Sequence, residues 1–127
     1  MQEPIEANKQ AVKDFYEAVV NTKDFAVASR YLGDQYTQHN PTVRDGAEGL
    51  RGFIEFLRAD FPDARSEILR SFAEGDFVVL HVHSRRSPEA RGRAIVEIFR
   101  LEEGRIVEHW DVIQEIPATA ENANGMF

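Results

Sequence analysis

The sequence contains no cysteine. Disulfide bonds, thiolate nucleophiles and cysteine-ligated zinc are therefore excluded. No apolar run is long enough to span a membrane, and the first residues have neither the basic nor the apolar part of a secretory signal. A glycine-rich phosphate loop and a nucleophile elbow are also missing. We therefore expect a cytoplasmic protein that does not insert into a membrane.

Basic residues are few compared with acidic ones. The 127 residues include 15 Lys and Arg against 22 Asp and Glu, a net charge of −7. A negative net charge opposes binding to nucleic acid and to anionic membranes, so neither is expected as a partner. The length suits one domain, which we place at residues 1–116. Residues 117–127, rich in Ala, Thr, Asn and Gly, are expected to form a loose tail.

The hydrophobic pattern changes from helical to strand spacing along the chain. A first helix is expected from about residue 4 to Asn21, and a short second one between an N-cap at Asp24 and a C′ residue at Gly33. A third carries apolar residues from Leu50 to Phe61. Strands are expected near residues 36–39, 65–72, 77–83, 94–101 and 105–114. Helices followed by antiparallel strands predict an α+β fold in which helices cover one face of the sheet.

The last two strands are joined by a short turn, Glu102-Glu103-Gly104. A three-residue turn would place Glu97 opposite His109 and Ile95 opposite Asp111. A two-residue turn would instead move Glu97 to the face that carries Trp110. With the three-residue turn, one face holds Ile95, Glu97, Phe99, Val107, His109, Asp111 and Ile113.

Both faces of this hairpin are largely apolar, because Val96, Ile98, Ile106, Trp110 and Val112 occupy the second one. A chain this short has helices enough for one side only, and an antiparallel sheet usually leaves its other face in water. The sequence therefore predicts a homodimer that packs through the Trp110 face.

The first face combines two carboxylates and an imidazole with apolar neighbours. Burial raises the pKa of a carboxylate and lowers that of an imidazole, which brings both towards neutrality and allows proton transfer between them. Glu97, His109 and Asp111 are therefore catalytic candidates. The alternative is that Glu97 and His109 form only a structural pair across the strands.

Three further histidines leave alternatives open. His39, in Gln38-His39-Asn40-Pro41, either polarises a substrate oxygen at a pocket mouth or is an ordinary turn residue. His81 and His83 share one strand face and either line the same cavity as His109 or lie on an exposed polar face. Histidines beside acids also suggest a metal, but no ligand motif completes the set, so no metal is expected.

Four arginines lie between positions 85 and 93, namely Arg85, Arg86, Arg91 and Arg93. They either hold an anionic ligand or belong to a solvated loop of an otherwise acidic protein.

Residues 104–112 read Gly-Arg-Ile-Val-Glu-His-Trp-Asp-Val and follow Ile98-Phe99-Arg100. This segment resembles the C-terminal hairpin of SnoaL-like proteins, in the nuclear-transport-factor-2-like superfamily. The segments at residues 36–41 and 75–79 fit the same family, and the order of elements agrees over about residues 4–116. The resemblance implies a cone-shaped fold, with a curved antiparallel sheet around N-terminal helices and an internal pocket, and it implies that dimers are common.

The best-understood relatives are polyketide cyclases, which close a ring by intramolecular aldol condensation without a cofactor. Asp111 matches the position of their acid/base aspartate, whereas Glu97 stands where they have a histidine. The sequence looks closer to a branch described as predicted aldol-condensing enzymes, in which the Gln-His-Asn-Pro and Glu-His-Trp-Asp pieces recur together.

From the residues and the resemblance, the leading hypothesis is a cofactor-free acid/base enzyme for a small, mostly apolar carbonyl compound. Asp111 would take a proton next to the carbonyl, His109 and Glu97 would tune or relay it, and His39 or His81 would stabilise the enolate oxygen. The expected pocket lining is His81, His83, Phe99, Val107, Tyr36, Phe53 and Leu57.

Two other functions compete with this hypothesis. The first is a non-catalytic domain that binds a small ligand or assembles as a dimer. The second is an epoxide-hydrolase-like hydration, which ranks lower because it needs an Asp-Arg-Asp cluster and only Asp111 is obviously placed for one.

Overall fold

The computed structural model describes residues 4–127. It confirms the α+β class: three helices pack against one curved, open sheet of five strands. The first three residues, where no secretory signal was expected, lie outside the described residues. The elements in chain order are α1 Pro4–Tyr16, a π-helical turn Glu17–Asn21, α2 Phe25–Ala28, a 3-10 turn Ser29–Tyr31, β1 Leu32–Gln38, α3 Gly46–Asp60, β2 Arg65–Glu74, β3 Phe77–Arg85, β4 Arg93–Glu102 and β5 Arg105–Glu115.

Local signals explain where the short second helix begins and ends. The Asp24 side chain accepts a hydrogen bond from the backbone N–H of Val27 at 3.1 Å, which satisfies a donor of the first turn. The expected end at Gly33 is wrong, because Gly33 already belongs to β1. A side chain at Gly33 would meet the Val107 side chain at 2.8 Å, so this glycine is required by close packing between β1 and β5.

The strands lie in the order β1-β5-β4-β3-β2. Strands β2 to β5 are antiparallel to their neighbours, but β1 runs parallel to β5, so the expectation of a wholly antiparallel sheet is corrected. Parallel pairing needs a long connection, and α3 with β2 to β4 supplies one between these two strands.

The hairpin between β4 and β5 differs from the expected register. Its turn has two residues, Glu103 and Gly104, with φ of 50° and 77°, and Glu102 pairs with Arg105. A bulge next to Arg100 then shifts the pairing by one residue. The shift returns the remaining residues to the expected faces.

The pairs themselves are corrected accordingly. Glu97 lies opposite Asp111 rather than His109, and Phe99 lies opposite His109. The bulge also exchanges the expected faces of the neighbouring residues Ile106 and Val107. Ile106 is buried in the core, whereas Val107 contacts Gly33 and the outer groove beside β1.

The core lies between the helices and the concave face of the sheet. Phe15 of α1 meets Phe99 of β4 edge-on at 5.9 Å between ring centroids, and both are buried with Leu101 and Ile106. This packing holds β4 and β5 directly beneath α1, which is where their polar residues become enclosed.

The C-terminal residues after β5 have no helix or strand. Phe127 nevertheless stacks on the ring of His83 at 4.5 Å on the convex face. None of the described helices is both long and apolar enough to cross a membrane.

Candidate active site

A cavity of about 110 Å³ lies between the helices and the concave face of the sheet. Apolar residues of α1, α3 and β4 form most of its wall, including Phe15, Phe53, Leu57 and Phe99. Glu97, His109 and Asp111 of the last hairpin supply its polar part. The cavity therefore places a few ionisable groups in apolar surroundings, as small-molecule sites commonly do.

Glu97 and His109 form a buried pair in the lining of the cavity. The Nε2 atom of His109 lies 2.7 Å from Oε1 of Glu97. The second oxygen, Oε2, accepts a hydrogen bond from the Tyr16 hydroxyl at 2.6 Å. Burial, together with the negative charge of Glu97, raises the pKa of Tyr16 well above its ordinary value. Tyr16 therefore remains a hydrogen-bond donor.

The hydrogen bonds around Gln38 fix the proton on the other ring nitrogen of His109. The Oε1 atom of Gln38 accepts from the backbone N–H of Asn40 at 2.9 Å, so it is an oxygen and not the amide nitrogen. It lies 2.7 Å from Nδ1 of His109, which must therefore donate. A single proton is then shared between His109 Nε2 and Glu97, whichever of the two carries it.

Asp111 lies beside this pair, with its side chain only 10% exposed. Its Oδ2 atom accepts from Nδ2 of Asn40 at 2.9 Å and lies 3.9 Å from His109 Nε2. The Asn40 amide is oriented by Thr42, whose N–H and hydroxyl both donate to Asn40 Oδ1. Among residues 4–127, no side chain or backbone group donates to Asp111 Oδ1, which leaves this oxygen available to a ligand.

The surroundings of Asp111 favour its protonated form. Burial is the largest cause of its raised pKa, and the nearby charge of Glu97 is the second. The hydrogen bond from Asn40 and the charges of His109 and Arg93 oppose the rise. A carboxyl group with a raised pKa can both accept and return a proton nearer to neutral pH.

The cavity lining also extends to residues near the end of β5. Ile113 lines the cavity and is 40% exposed, and the half-buried Arg86 and Arg93 line it as well. Asp111 precedes Ile113 by two residues on the same strand and lies opposite Glu97. The same cavity therefore combines the carboxyl group of Asp111 with two arginines.

Glu97, His109 and Asp111 also offer ligand atoms within 4.8 Å of one another, a set that could hold a metal ion by chemical type. In the structure these atoms are already hydrogen-bonded within the site, to one another or to Tyr16 and Asn40. These side chains are therefore positioned for proton transfer without a change in their hydrogen bonds.

A sequence model described as SnoaL-like polyketide cyclase matches residues 10–122. The chain belongs to this family. No curated protein matches the sequence.

Solved structures share the fold of this SnoaL-like protein. TsrD from Streptomyces laurentii is 24% identical, with 85% of this chain and 88% of that chain covered and a TM-score of 0.70. An uncharacterised cystatin-fold protein from Novosphingobium aromaticivorans is 23% identical, with 83% and 97% covered and a TM-score of 0.73. An NTF2-like protein of unknown function from Cytophaga hutchinsonii is 22% identical, with 84% and 89% covered and a TM-score of 0.70.

Several residues singled out from the sequence meet in one cavity of the SnoaL-like fold. The cavity is lined by Glu97, His109 and Asp111 together with Tyr36, Phe53, Leu57 and Phe99. Their catalytic or binding roles remain predictions.

His39 lies outside the cavity, which corrects its expected place at the pocket mouth. Its Nε2 atom contacts Glu108 at 2.7 Å, and its ring stacks on Trp110 with 4.9 Å between centroids. Successive residues of an extended chain point to opposite sides, so Gln38 and Asn40 face inwards and His39 faces outwards.

His81, His83 and Val107 also lie away from the cavity, so their expected place in its lining is wrong. His81 contacts Arg70 on the neighbouring strand, and His83 contacts the backbone oxygen of Arg91 at 2.8 Å, both on the convex face. Val107 lies at the bulge described above. The expected role of His39 or His81 at an enolate oxygen therefore has no structural basis.

The sequence reasoning missed Tyr16, Gln38 and Asn40. Alternation along residues 36, 38 and 40 was a usable signal, because Tyr36 was already expected to face the pocket. Tyr16 had no such signal, since it falls on the apolar stripe of α1 and reads as an ordinary core residue.

Proposed function

We propose that this protein is a cofactor-free acid/base enzyme that removes and returns a proton next to the carbonyl group of a small, mostly apolar compound. The observation that carries the proposal is the environment of Asp111. Its Oδ2 atom accepts a hydrogen bond from Asn40, its Oδ1 atom has no donor among residues 4–127, and the surroundings raise its pKa. Family membership supports an aldol condensation, a cyclisation or an isomerisation.

In the proposed reaction, the Asp111 carboxylate takes the proton from the carbon next to the carbonyl. The electrons of the C–H bond form a carbon–carbon double bond, and the carbonyl electrons move to the oxygen. In an aldol condensation the enolate carbon attacks a second carbonyl, and the oxygen of that carbonyl takes the proton held by Asp111. In an isomerisation the substrate carries a conjugated double bond, so that the dienolate takes the proton back from Asp111 at a more distant carbon. No group is oxidised or reduced, so the reaction requires no redox cofactor.

The Glu97–His109 pair supplies the second proton site in this proposal. Its shared proton lies close to Asp111, with 3.9 Å between His109 Nε2 and Asp111 Oδ2. Both ring nitrogens of His109 are already engaged, with Gln38 and with Glu97, so in this proposal the pair tunes or relays the proton of Asp111. The proton on the pair also reduces repulsion between two carboxylates that face each other across the strands.

The test uses cyclopentanone, a neutral ketone, in deuterium oxide. NMR follows the loss of its protons next to the carbonyl. The wild type is expected to accelerate this exchange, and Asp111→Asn is expected to lower the enzymatic rate by about 10²- to 10⁴-fold. The matched control is Asp34→Asn, which alters an exposed aspartate of β1 outside the cavity and is expected to exchange at the wild-type rate.

Equal rates for the wild type and Asp111→Asn would contradict the role of Asp111. Binding of cyclopentanone without any acceleration would favour the competing function, a non-catalytic domain for small ligands. Binding is read from chemical-shift changes of the residues that line the cavity.

We further propose a homodimer formed through the convex face of the sheet. Val112 is 65% exposed there, with Phe77, Val96 and Trp110 nearby, and the C-terminal segment reaches only the region of His81 and His83. Analytical ultracentrifugation is expected to show a dimer that Val112→Lys converts to a monomer. Ile5→Lys, the same change at an exposed position of α1, is the control, and a monomeric wild type would contradict the proposal.

A further inference from the structure

Two arginines line the same cavity as Asp111. Arg93 begins β4 and precedes Ile95 and Glu97 on the cavity side of that strand, and Arg86 follows the end of β3. Both side chains are half-buried. They lie at opposite ends of the loop between β3 and β4, so the pairing of these two strands brings both of them to the cavity.

Neither arginine is paired with an acidic side chain of the described residues. Within residues 4–127, no salt bridge involves Arg86 or Arg93. Glu115 is opposite Arg93 in the β4–β5 register, but its side chain is exposed and lies beyond salt-bridge distance. Two arginines therefore line the cavity without a salt bridge to any carboxylate of the described residues.

Aromatic rings hold Arg86 in place. Its guanidinium carbon lies 4.9 Å from the centre of the Phe61 ring and 5.3 Å from that of Phe56. Such cation–π contacts orient the planar group without satisfying its N–H donors. Burial, and then the charge of Arg93, lower the pKa of Arg86, whereas the charge of Glu115 raises it.

The other arginines of the same loop do not share this position. Arg85 is exposed and lines a separate groove on the outside. Arg91 donates from Nε to the backbone oxygen of Ile116 at 3.1 Å. Only half of the arginines in this loop thus face the cavity, which argues against a uniformly solvated basic loop.

We propose that Arg86 and Arg93 form a carboxylate-binding subsite and that the substrates are small keto acids. This inference rests on the proposed function, because it assigns a substrate class to the same cavity. Arginine binds carboxylates with paired, charge-assisted hydrogen bonds, and an anion between the two guanidinium groups would relieve their repulsion.

The dimensions of the site agree with a short keto acid. Arg93 precedes Glu97 by four residues on an extended strand, so their Cα atoms are about 13 Å apart. The carboxylate would therefore lie at the end of the ligand away from the carbon that yields its proton. The volume of about 110 Å³ suits a chain of a few carbons. For comparison, an engineered protein cavity of about 150 Å³ holds benzene.

The experiment compares two probes that differ only in charge, 4-oxopentanoate and its amide, 4-oxopentanamide. Isothermal titration calorimetry measures their dissociation constants, because Arg93 also influences Asp111 and turnover would mix the two effects. The wild type is expected to bind the carboxylate at least about tenfold more tightly than the amide. Arg93→Gln and Arg86→Gln are each expected to remove most of this preference.

Arg85→Gln is the matched control, since it removes the same charge from the same loop outside the cavity and should preserve the preference. Equal affinities in the wild type, a preference unchanged by Arg93→Gln and Arg86→Gln, or no binding of 4-oxopentanoate at about 10 mM would each overturn the subsite. The proposed acid/base function fails separately, because cyclopentanone carries no carboxylate and its exchange does not depend on this subsite.

Discussion

The concave and convex faces of the same sheet contain similar side chains in opposite surroundings. The concave face encloses His109 with Glu97 and Asp111, whereas the convex face pairs the exposed His39 with Glu108. The two faces shift carboxyl groups in opposite directions. Burial raises the pKa of Asp111, while hydrogen bonds from His39 and Arg100 lower the pKa of Glu108.

The difference shows that the pKa of a carboxyl group in this fold depends on how far the group is enclosed and not only on its residue type. Glu108 accepts hydrogen bonds from His39 and Arg100 and remains accessible to water, so its negative charge is stabilised. Asp111 has one protein donor and little water, so its charge is unfavourable. Matched substitutions, most of them between the concave face and the convex face or the surface, separate the effects of the two environments.

The largest expected effect is on stability, from Phe99→Ala. Phe99 is 1% exposed and contacts both Phe15 and His109, so its removal should lower the free energy of unfolding by about 3–5 kcal/mol. Phe77, on the convex face, is 42% exposed. In dilute protein, Phe77→Ala should therefore lower the free energy of unfolding by less than about 1 kcal/mol. Urea denaturation measures both, and similar losses would contradict the placement of the core.

An intermediate effect is expected from Tyr16→Phe. The substitution removes the hydroxyl that donates to Glu97 and leaves a buried carboxylate oxygen without a partner, which should cost about 1–3 kcal/mol. Tyr31→Phe is the control, because within residues 4–127 the Tyr31 hydroxyl has no hydrogen-bond partner. Equal unfolding free energies for the two variants would mean that the Tyr16–Glu97 bond contributes nothing to stability.

The smallest expected effect is on Tm at pH 7, which should change in opposite directions in two variants that each remove a carboxyl charge. The folded pKa of Asp111 is raised, so its stabilising effect is present below the unfolded pKa and is lost as pH rises through the folded value. Asp111→Asn should therefore have a higher Tm than the wild type at pH 7, and the two should converge in acid. The folded pKa of Glu108 is lowered, so its stabilising effect is present above the unfolded pKa and is lost as pH falls through the folded value.

Glu108→Gln should accordingly have a lower Tm than the wild type at pH 7, with the gap closing in acid. Calorimetric scans across this pH range measure both differences. A lower Tm for Asp111→Asn at pH 7 would mean that its carboxylate is stabilised by the fold, contrary to the site described here.

Much of the fold could be predicted because its signals are local. The helical spacing of Val12, Phe15 and Val19 and the cap at Asp24 depend on near neighbours. The pairing of β1 with β5 depends on residues far apart in the sequence, and no local pattern indicates that it is parallel. The bulge next to Arg100 had no sequence signal either, and it decides the exchange of Ile106 and Val107.

For the candidate site, too, local signals were predictable and long-range contacts were not. Strand alternation alone brings Glu97, His109 and Asp111 to one face. Which face becomes enclosed depends on how the helices pack, so the histidines at positions 39, 81 and 83 could not be assigned from the sequence. The pairing of Tyr16 with Glu97 joins α1 to β4, and only the tertiary structure brings the two residues together.

We infer that enclosure on the concave face raises the pKa of Asp111, since burial is the largest cause of the rise. A ¹³C NMR titration of the Asp111 carboxyl carbon in the wild type tests this inference directly. We expect a midpoint above the ordinary value of 3.8. A midpoint at or below 3.8 would mean that enclosure does not raise the pKa of Asp111 and would contradict the proposed acid/base site.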